Sequence, residues 1–95
     1  MFEKNGLTFK ELRKYLSRID RLSICNKETL QYKNYIYLEE VPTDYDDMYV
    51  YGVGMINSEF FQVGEAQYKA EGNIEDIVLL PCIEIMLSEA PKTDF

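Results

Sequence analysis

The first apolar period along the chain is helical. Phe9, Leu12, Leu16 and Ile19 recur at steps of three, four and three, which puts them on one face at about 100° per residue. Lys10, Arg13, Lys14, Arg18 and Arg21 fall on the opposite side, the pattern of a solvated face. Thr8 precedes Glu11 by three positions, the spacing of a capping box, and Leu7 and Leu12 flank that cap as a hydrophobic staple. The pattern predicts an amphipathic helix over residues 8–18, or on to 20, with its stripe against a core.

The period then falls to two. Residues 22–25 alternate as a short strand, and Asn26, Lys27 and Glu28 read as a turn. Residues 30–38, with Tyr32, Tyr35, Ile36, Tyr37 and Leu38, have strand composition, and Asn34 is placed to bend them. Pro42, Asp44, Asp46 and Asp47 punctuate residues 39–47 and predict turns or one helical turn after the proline. Residues 48–56 read as the central strand, with Tyr49, Tyr51, Val53 and Met55 on one face and Met48, Val50, Gly52, Gly54 and Ile56 on the other. The two glycines leave a flat strip that another chain or a helix can approach closely.

Residues 57–73 are polar and predict a long hairpin loop or a weak pair of edge strands. Residues 77–87 form the last strand, which Pro81 assigns to a sheet edge or a bulge. Glu84 then reads as an edge-strand carboxylate on the polar face, and residues 89–95 as a loose tail. One helix followed by several strands is an α+β pattern: a single domain over 1–95, with an N-terminal amphipathic helix packed on a mainly antiparallel sheet of three to five strands. Connections of these lengths favour antiparallel pairing.

Composition narrows the chemistry. With no His, the chain has no imidazole base, no Ser-His-Asp or Cys-His arrangement and no histidine metal ligand. Cys25 and Cys82 are too few for a four-thiolate zinc site and match no short cysteine motif. In apolar strand contexts they read as buried, unreactive thiols, with a single disulfide as the lesser alternative. Gly52 and Gly54 lack the third glycine of a dinucleotide-binding loop, and no phosphate-binding loop or EF-hand pattern occurs. No cofactor, no metal and no enzymatic activity are expected. The first residues lack the apolar core of a signal peptide, and Pro81 breaks the longest apolar run, so a cytoplasmic location off the membrane is expected.

Charge is the main functional hint. The net charge of −7 is split between +4 over residues 1–33 and −11 over residues 34–95. Five carboxylates, Glu39, Glu40, Asp44, Asp46 and Asp47, fall within nine residues, interleaved with Tyr45 and followed by Tyr49 and Tyr51. Carboxylates spaced in this way imitate phosphates, and Tyr rings stack on guanidinium groups. The candidate partner-binding set is therefore Glu39, Glu40, Asp44, Tyr45, Asp46, Asp47, Tyr49 and Tyr51. The partner expected is a protein with a basic surface, with no direct binding of nucleic acid.

In size and composition the chain resembles the small acidic orphan proteins of phages and mobile elements, which include anti-CRISPR and anti-restriction inhibitors. Residues 39–47 and the strand from Tyr49 to Gly54 carry that resemblance. It implies a non-enzymatic inhibitor that occupies the basic nucleic-acid-binding site of a nuclease. Two other readings stand beside it: an accessory or housekeeping interaction module whose acids only confer solubility, and a small-molecule binder using a Tyr-rich sheet face.

Overall fold

Extended segments cannot satisfy their own backbone groups, so the period-two stretches must pair with one another. In the computed structural model, which describes residues 6–90, they do so as one five-stranded sheet. The elements in chain order are α1 (Phe9–Arg13), β1 (Leu22–Asn26), β2 (Tyr32–Tyr35), 3₁₀ turns at Leu38–Glu40 and Thr43–Tyr45, β3 (Tyr49–Gly64), β4 (Gln67–Lys69), a 3₁₀ turn at Ile74–Asp76, and β5 (Ile77–Ser88). The strand order is β2-β1-β5-β3-β4. All pairings are antiparallel except β1 with β5, which run parallel with Leu22 opposite Ile83. The described residues are thus α+β, with a mostly antiparallel sheet and one short α-helix.

The helix is much shorter than its apolar period. Thr8 caps it as expected: its side chain accepts from the Glu11 N–H, and the Glu11 carboxylate accepts from the Thr8 N–H. Past Arg13 the bonds tighten to three-residue spacing, as in Tyr15 N–H to Leu12 O at 2.9 Å. Asp20 then accepts from the Ser17 N–H, and Ser17 Oγ accepts from the Ile19 N–H. Such local side-chain bonds compete with the helical ladder and end it. Ile19 is consequently 72% exposed, not on a buried face.

One sheet face carries the core. Phe9, Leu22, Ile24, Tyr35, Val41, Ile85 and Leu87 form it, with Leu12, Leu16, Leu38, Tyr45, Met48 and Val50 packed around. Five helical residues cannot cover a sheet, so the turns of residues 38–48 supply most of the second layer. Phe9 is fully buried, worth about 1.5–3 kcal/mol of transfer free energy.

Several strand expectations need correction. The strand expected over 30–38 is only Tyr32–Tyr35, because Leu38 enters a 3₁₀ turn. β3 does not stop at Ile56: it continues to Gly64 and turns through Glu65 and Ala66 into β4. Its faces also differ from a uniform alternation. Val50 pairs with Leu87 but Gly52 pairs with Met86, so Tyr51 is a bulge and Val50 joins Val53 and Met55 on the Ile85 face. β5 is central, lying between β1 and β3, so Glu84 is not an edge carboxylate; it faces Gly54 in mid-sheet. Pro81 is tolerated because the Ile83 N–H points toward β1, bonding Arg21 O at 2.9 Å. Pro81, two residues earlier, aims its nitrogen the same way, where β1 has not yet begun. Met1 to Asn5 and residues 91–95 lie outside the described residues, and with them most of the tail and the signal-peptide expectation.

The sheet coils. Asn34 on edge strand β2 donates to Ser58 Oγ at 3.0 Å and to the Glu59 carbonyl at 2.7 Å, both on β3. In a flat sheet these strands, three places apart, would be separated by about 14 Å. Coiling gathers Ser23, Asn34, Ser58, Phe60 and Cys82 into a second buried layer on the concave face. Among the described residues no buried side-chain nitrogen or oxygen lacks a hydrogen bond.

Both thiols are free and buried, and burial raises both above the ordinary thiol range. Cys25 lies beside Met86, four residues along β5 from Cys82 and so about 13 Å away, beyond disulfide reach. Native protein should therefore resist a thiol reagent, and both cysteines should label only on unfolding; fast native labelling of either would contradict the packing. The cap gives a second test. Bonds from the Thr8 backbone and then its side chain hold the Glu11 carboxyl below its ordinary value of 4.5. This stabilisation is complete above that value and is lost as pH falls through the lowered one. Glu11→Gln should lower the melting temperature at neutral pH, and the gap from wild type should close in acid.

Candidate functional site

The acidic segment is a pair of 3₁₀ turns held from beneath by one guanidinium. Arg13 projects from the end of α1 and lies over the Phe9 ring, 4.8 Å from its centroid. Its Nε and Nη2 donate to Asp46 Oδ1 at 3.1 and 2.9 Å. Nη1 donates to the Val41 carbonyl at 3.1 Å, and Nη2 to that of Pro42 at 3.0 Å. The pair is largely shielded, with side-chain exposures of 22% and 20%, so solvent screens it only in part. Lys10 N–H adds a bond to the Asp46 carbonyl, and Phe9 N–H one to Met48.

The expected site residues divide by environment. Asp46 is committed to Arg13. Tyr45 turns inward: its hydroxyl lies 3.2 Å from that of Tyr35, and its ring meets Phe9 and Tyr35 edge-on, each at 6.4 Å. Burial, and then the Tyr45 hydrogen bond, push the Tyr35 hydroxyl well above the usual tyrosine range. Glu40 is exposed, and its carboxylate accepts from the Ile36 and Tyr37 N–H groups at 3.3 Å each, fixing its direction. Glu39 is exposed and meets Arg18 at 3.6 Å. Asp44 and Asp47 are exposed, and neither has an ion-pair partner among the described residues. Tyr49 and Tyr51 do not join the acids. Tyr49 lies in β3 opposite Ser88, and Tyr51, at the bulge, sits under Lys27 Nζ at 4.6 Å.

Four carboxylates, Glu39, Glu40, Asp44 and Asp47, thus project from turns whose backbone is tied to the core. Sequence reasoning placed Arg13 on a solvated face and missed its role. The one available signal was the adjacency of a basic helix to an acidic, turn-forming segment that needed a counter-charge.

A second feature was not anticipated. The coiled sheet leaves a cleft of about 660 Å³ between β2 and β4, lined by Lys33, Tyr35, Tyr37, Tyr68, Lys69 and Glu71 among others. Lys33 and Glu71 meet across it at 3.9 Å, both largely exposed. Among the described residues, no group of three or more Cys, Asp or Glu side chains could hold a metal ion. No helix there is long and apolar enough to cross a membrane.

No protein-family model, curated protein or solved structure matches the chain.

Removing the guanidinium is the direct test of this geometry. Arg13→Met keeps the stem over Phe9 but strands Asp46 and two carbonyls. It should cost about 2–3 kcal/mol. Arg13→Lys should recover only part of that, because an ammonium cannot fork between carboxylate and carbonyls. Denaturant unfolding of both variants would measure it, and an unchanged midpoint for Arg13→Met would remove Arg13 from this role.

Proposed function

We propose that this protein acts by binding rather than catalysis, presenting its acidic turns to the basic, nucleic-acid-binding surface of another protein. The class of partner that fits best is a nuclease, whose site the carboxylates would occupy in place of phosphates. The observation that carries this reading is the fixed backbone under the exposed acids. Arg13, Tyr45 and Asp46 hold the turns, and Glu39, Glu40, Asp44 and Asp47 are left to meet solvent. Charges displayed on a pre-ordered backbone lose little conformational entropy on binding, unlike the same charges on a flexible tail. A basic partner gains from the long-range field of the net −7 as well, which raises its association rate. The roles of the eight residues then separate: four contact the partner, Tyr45 and Asp46 support them, and Tyr49 and Tyr51 continue the chain into β3. A cytoplasmic setting, where such partners handle nucleic acid, belongs to the same proposal.

The test compares two variants in a pull-down against candidate nucleases, with association rates measured for any partner recovered. Neutralising Glu39, Glu40, Asp44 and Asp47 to Gln or Asn should slow association about tenfold or more at physiological salt while leaving the melting temperature nearly unchanged. Asp46→Asn should do the reverse, lowering stability with a smaller effect on the rate. Binding should weaken as salt rises, since exposed charges are screened beyond about 8 Å at physiological ionic strength. Nucleic acid should compete for the partner without binding the protein. Equal recovery of a partner by wild type and the neutralised variant would leave the acids a solubilising role only, as in an accessory module.

A further inference from the structure

The long strand β3 has an open edge. Toward one side it pairs with β5 from Tyr49 to Phe61, but toward the other it meets β4 only from Phe61 onward. At its start, Val50 N–H bonds Leu7 O, and Tyr49 bridges to Thr8. Near Ser58 and Glu59, the Asn34 side chain closes the gap. Between these points, no strand among the described residues pairs with the outer side of Gly52 to Asn57.

The direction of the open backbone groups follows from the ladder. The Ile83 N–H and the Leu87 carbonyl point toward β1, so odd-numbered residues of β5 face β1 and even-numbered ones face β3. Their partners Gly52, Gly54 and Ile56 are therefore bonded inward, and Val53, Met55 and Asn57 aim N–H and C=O outward. Val53 is 56% exposed and Met55 70%. A Cβ on Gly52 or Gly54 would meet no other atom within 4 Å. No charged residue occurs from Met48 through Ser58, in a chain of net charge −7. Natural edges are usually blunted by charge, proline or a cover; the open span has neither charge nor proline, and no segment among the described residues covers it.

We propose that this edge pairs with the same edge of a second copy of the chain, antiparallel, about a two-fold axis through Met55. The occupant follows from charge and symmetry. Two acidic copies repel wherever their acids meet, and this neutral strip lets them touch without opposing like charges. About a two-fold axis at Met55, Met55 faces its counterpart and Val53 faces Asn57 in both directions. All three outward-facing residues are then used, for about six hydrogen bonds. The usual strand-to-strand twist of about 20–25° carries the ends of the second strand away from β4 and from Leu7. The contact is isologous, so it closes as a dimer and does not propagate. It is independent of the acidic turns and of the function proposed for them.

Salt gives the two sites opposite signatures. Screening weakens binding of the acidic turns to a basic partner, whereas it relieves repulsion between two copies and strengthens this dimer.

The experiment is sedimentation velocity on the full chain from about 10 µM to about 1 mM, at about 50 and about 500 mM NaCl, with amide exchange read in parallel. A monomer–dimer equilibrium that tightens with salt is expected, with amides of Val53, Met55 and Asn57 gaining protection as concentration rises. Met55→Lys and Met55→Glu each place like charges across the axis and should weaken association about tenfold or more. An equimolar mixture of the two should associate again, because opposite charges then meet. A monomer across the whole range at both salts would overturn the proposal, as would a dimer indifferent to both substitutions or a mixture that fails to associate. Protection of these three amides already in the dilute monomer would also overturn it, by showing that the chain's own segments cover the edge.

Discussion

The fork of Arg13 ties the helix to the acidic turns, two segments that also meet through the Phe9 and Tyr45 rings and two backbone hydrogen bonds. Its planar donors bond a carboxylate and two carbonyls from residues 41, 42 and 46, and its face lies on Phe9. A turn-rich acidic segment would otherwise repel itself and expose Val41, Tyr45 and the core beneath. With the guanidinium in place, Val41 is 3% exposed and the segment serves as the second layer over the sheet. The arrangement works because Arg is always charged and its donors are fixed in a plane. The same contact that completes the core also decides which acids face outward.

Hydrogen bonding of a different kind shapes the other face. The Asn34 amide spans from edge strand β2 to β3 and keeps the sheet coiled. A small protein gains from this, since one sheet then has a filled concave side as well as a covered one. Phe60 is fully buried there, with the Arg21 guanidinium 6.0 Å from its ring centroid. Asn34 and Ser58 bond each other there and Asn34 also bonds the Glu59 carbonyl, so the layer tolerates both where a flat sheet would need apolar cover.

Much of this was legible in the residues. The Thr8–Glu11 cap, the β1 segment, the last strand over residues 77–87, and a helical turn after Pro42 all follow from local chemistry that nothing distant overrides. What failed were properties set by tertiary contact. The apolar period through Ile19 could not reveal that Ser17 and Asp20 would close a turn on themselves. Pro81 looked like an edge signal because the sequence does not say on which side of a strand the missing N–H falls. The bulge at Tyr51 has no compositional mark, yet it decides which residues of β3 share a face with the core. At the site, the exposed acids could be guessed from charge density. Arg13 could not, because one cation among five at helical spacing reads as solvated until the chain folds back on it.

The position of β5 has a kinetic meaning. It is the last strand among the described residues and the middle one in the sheet, with β1 on one side and β3 on the other. The β1–β2 and β3–β4 hairpins can form from neighbouring residues alone. Neither can bury its inner edge until β5 arrives, and β1 must pair with it across most of the chain. Such distant pairings slow folding, because loop closure is unfavourable until the contacts it permits are made. On a ribosome the two halves would wait as separate ribbons with open edges. The sheet would then be complete only once β5 pairs with both of them.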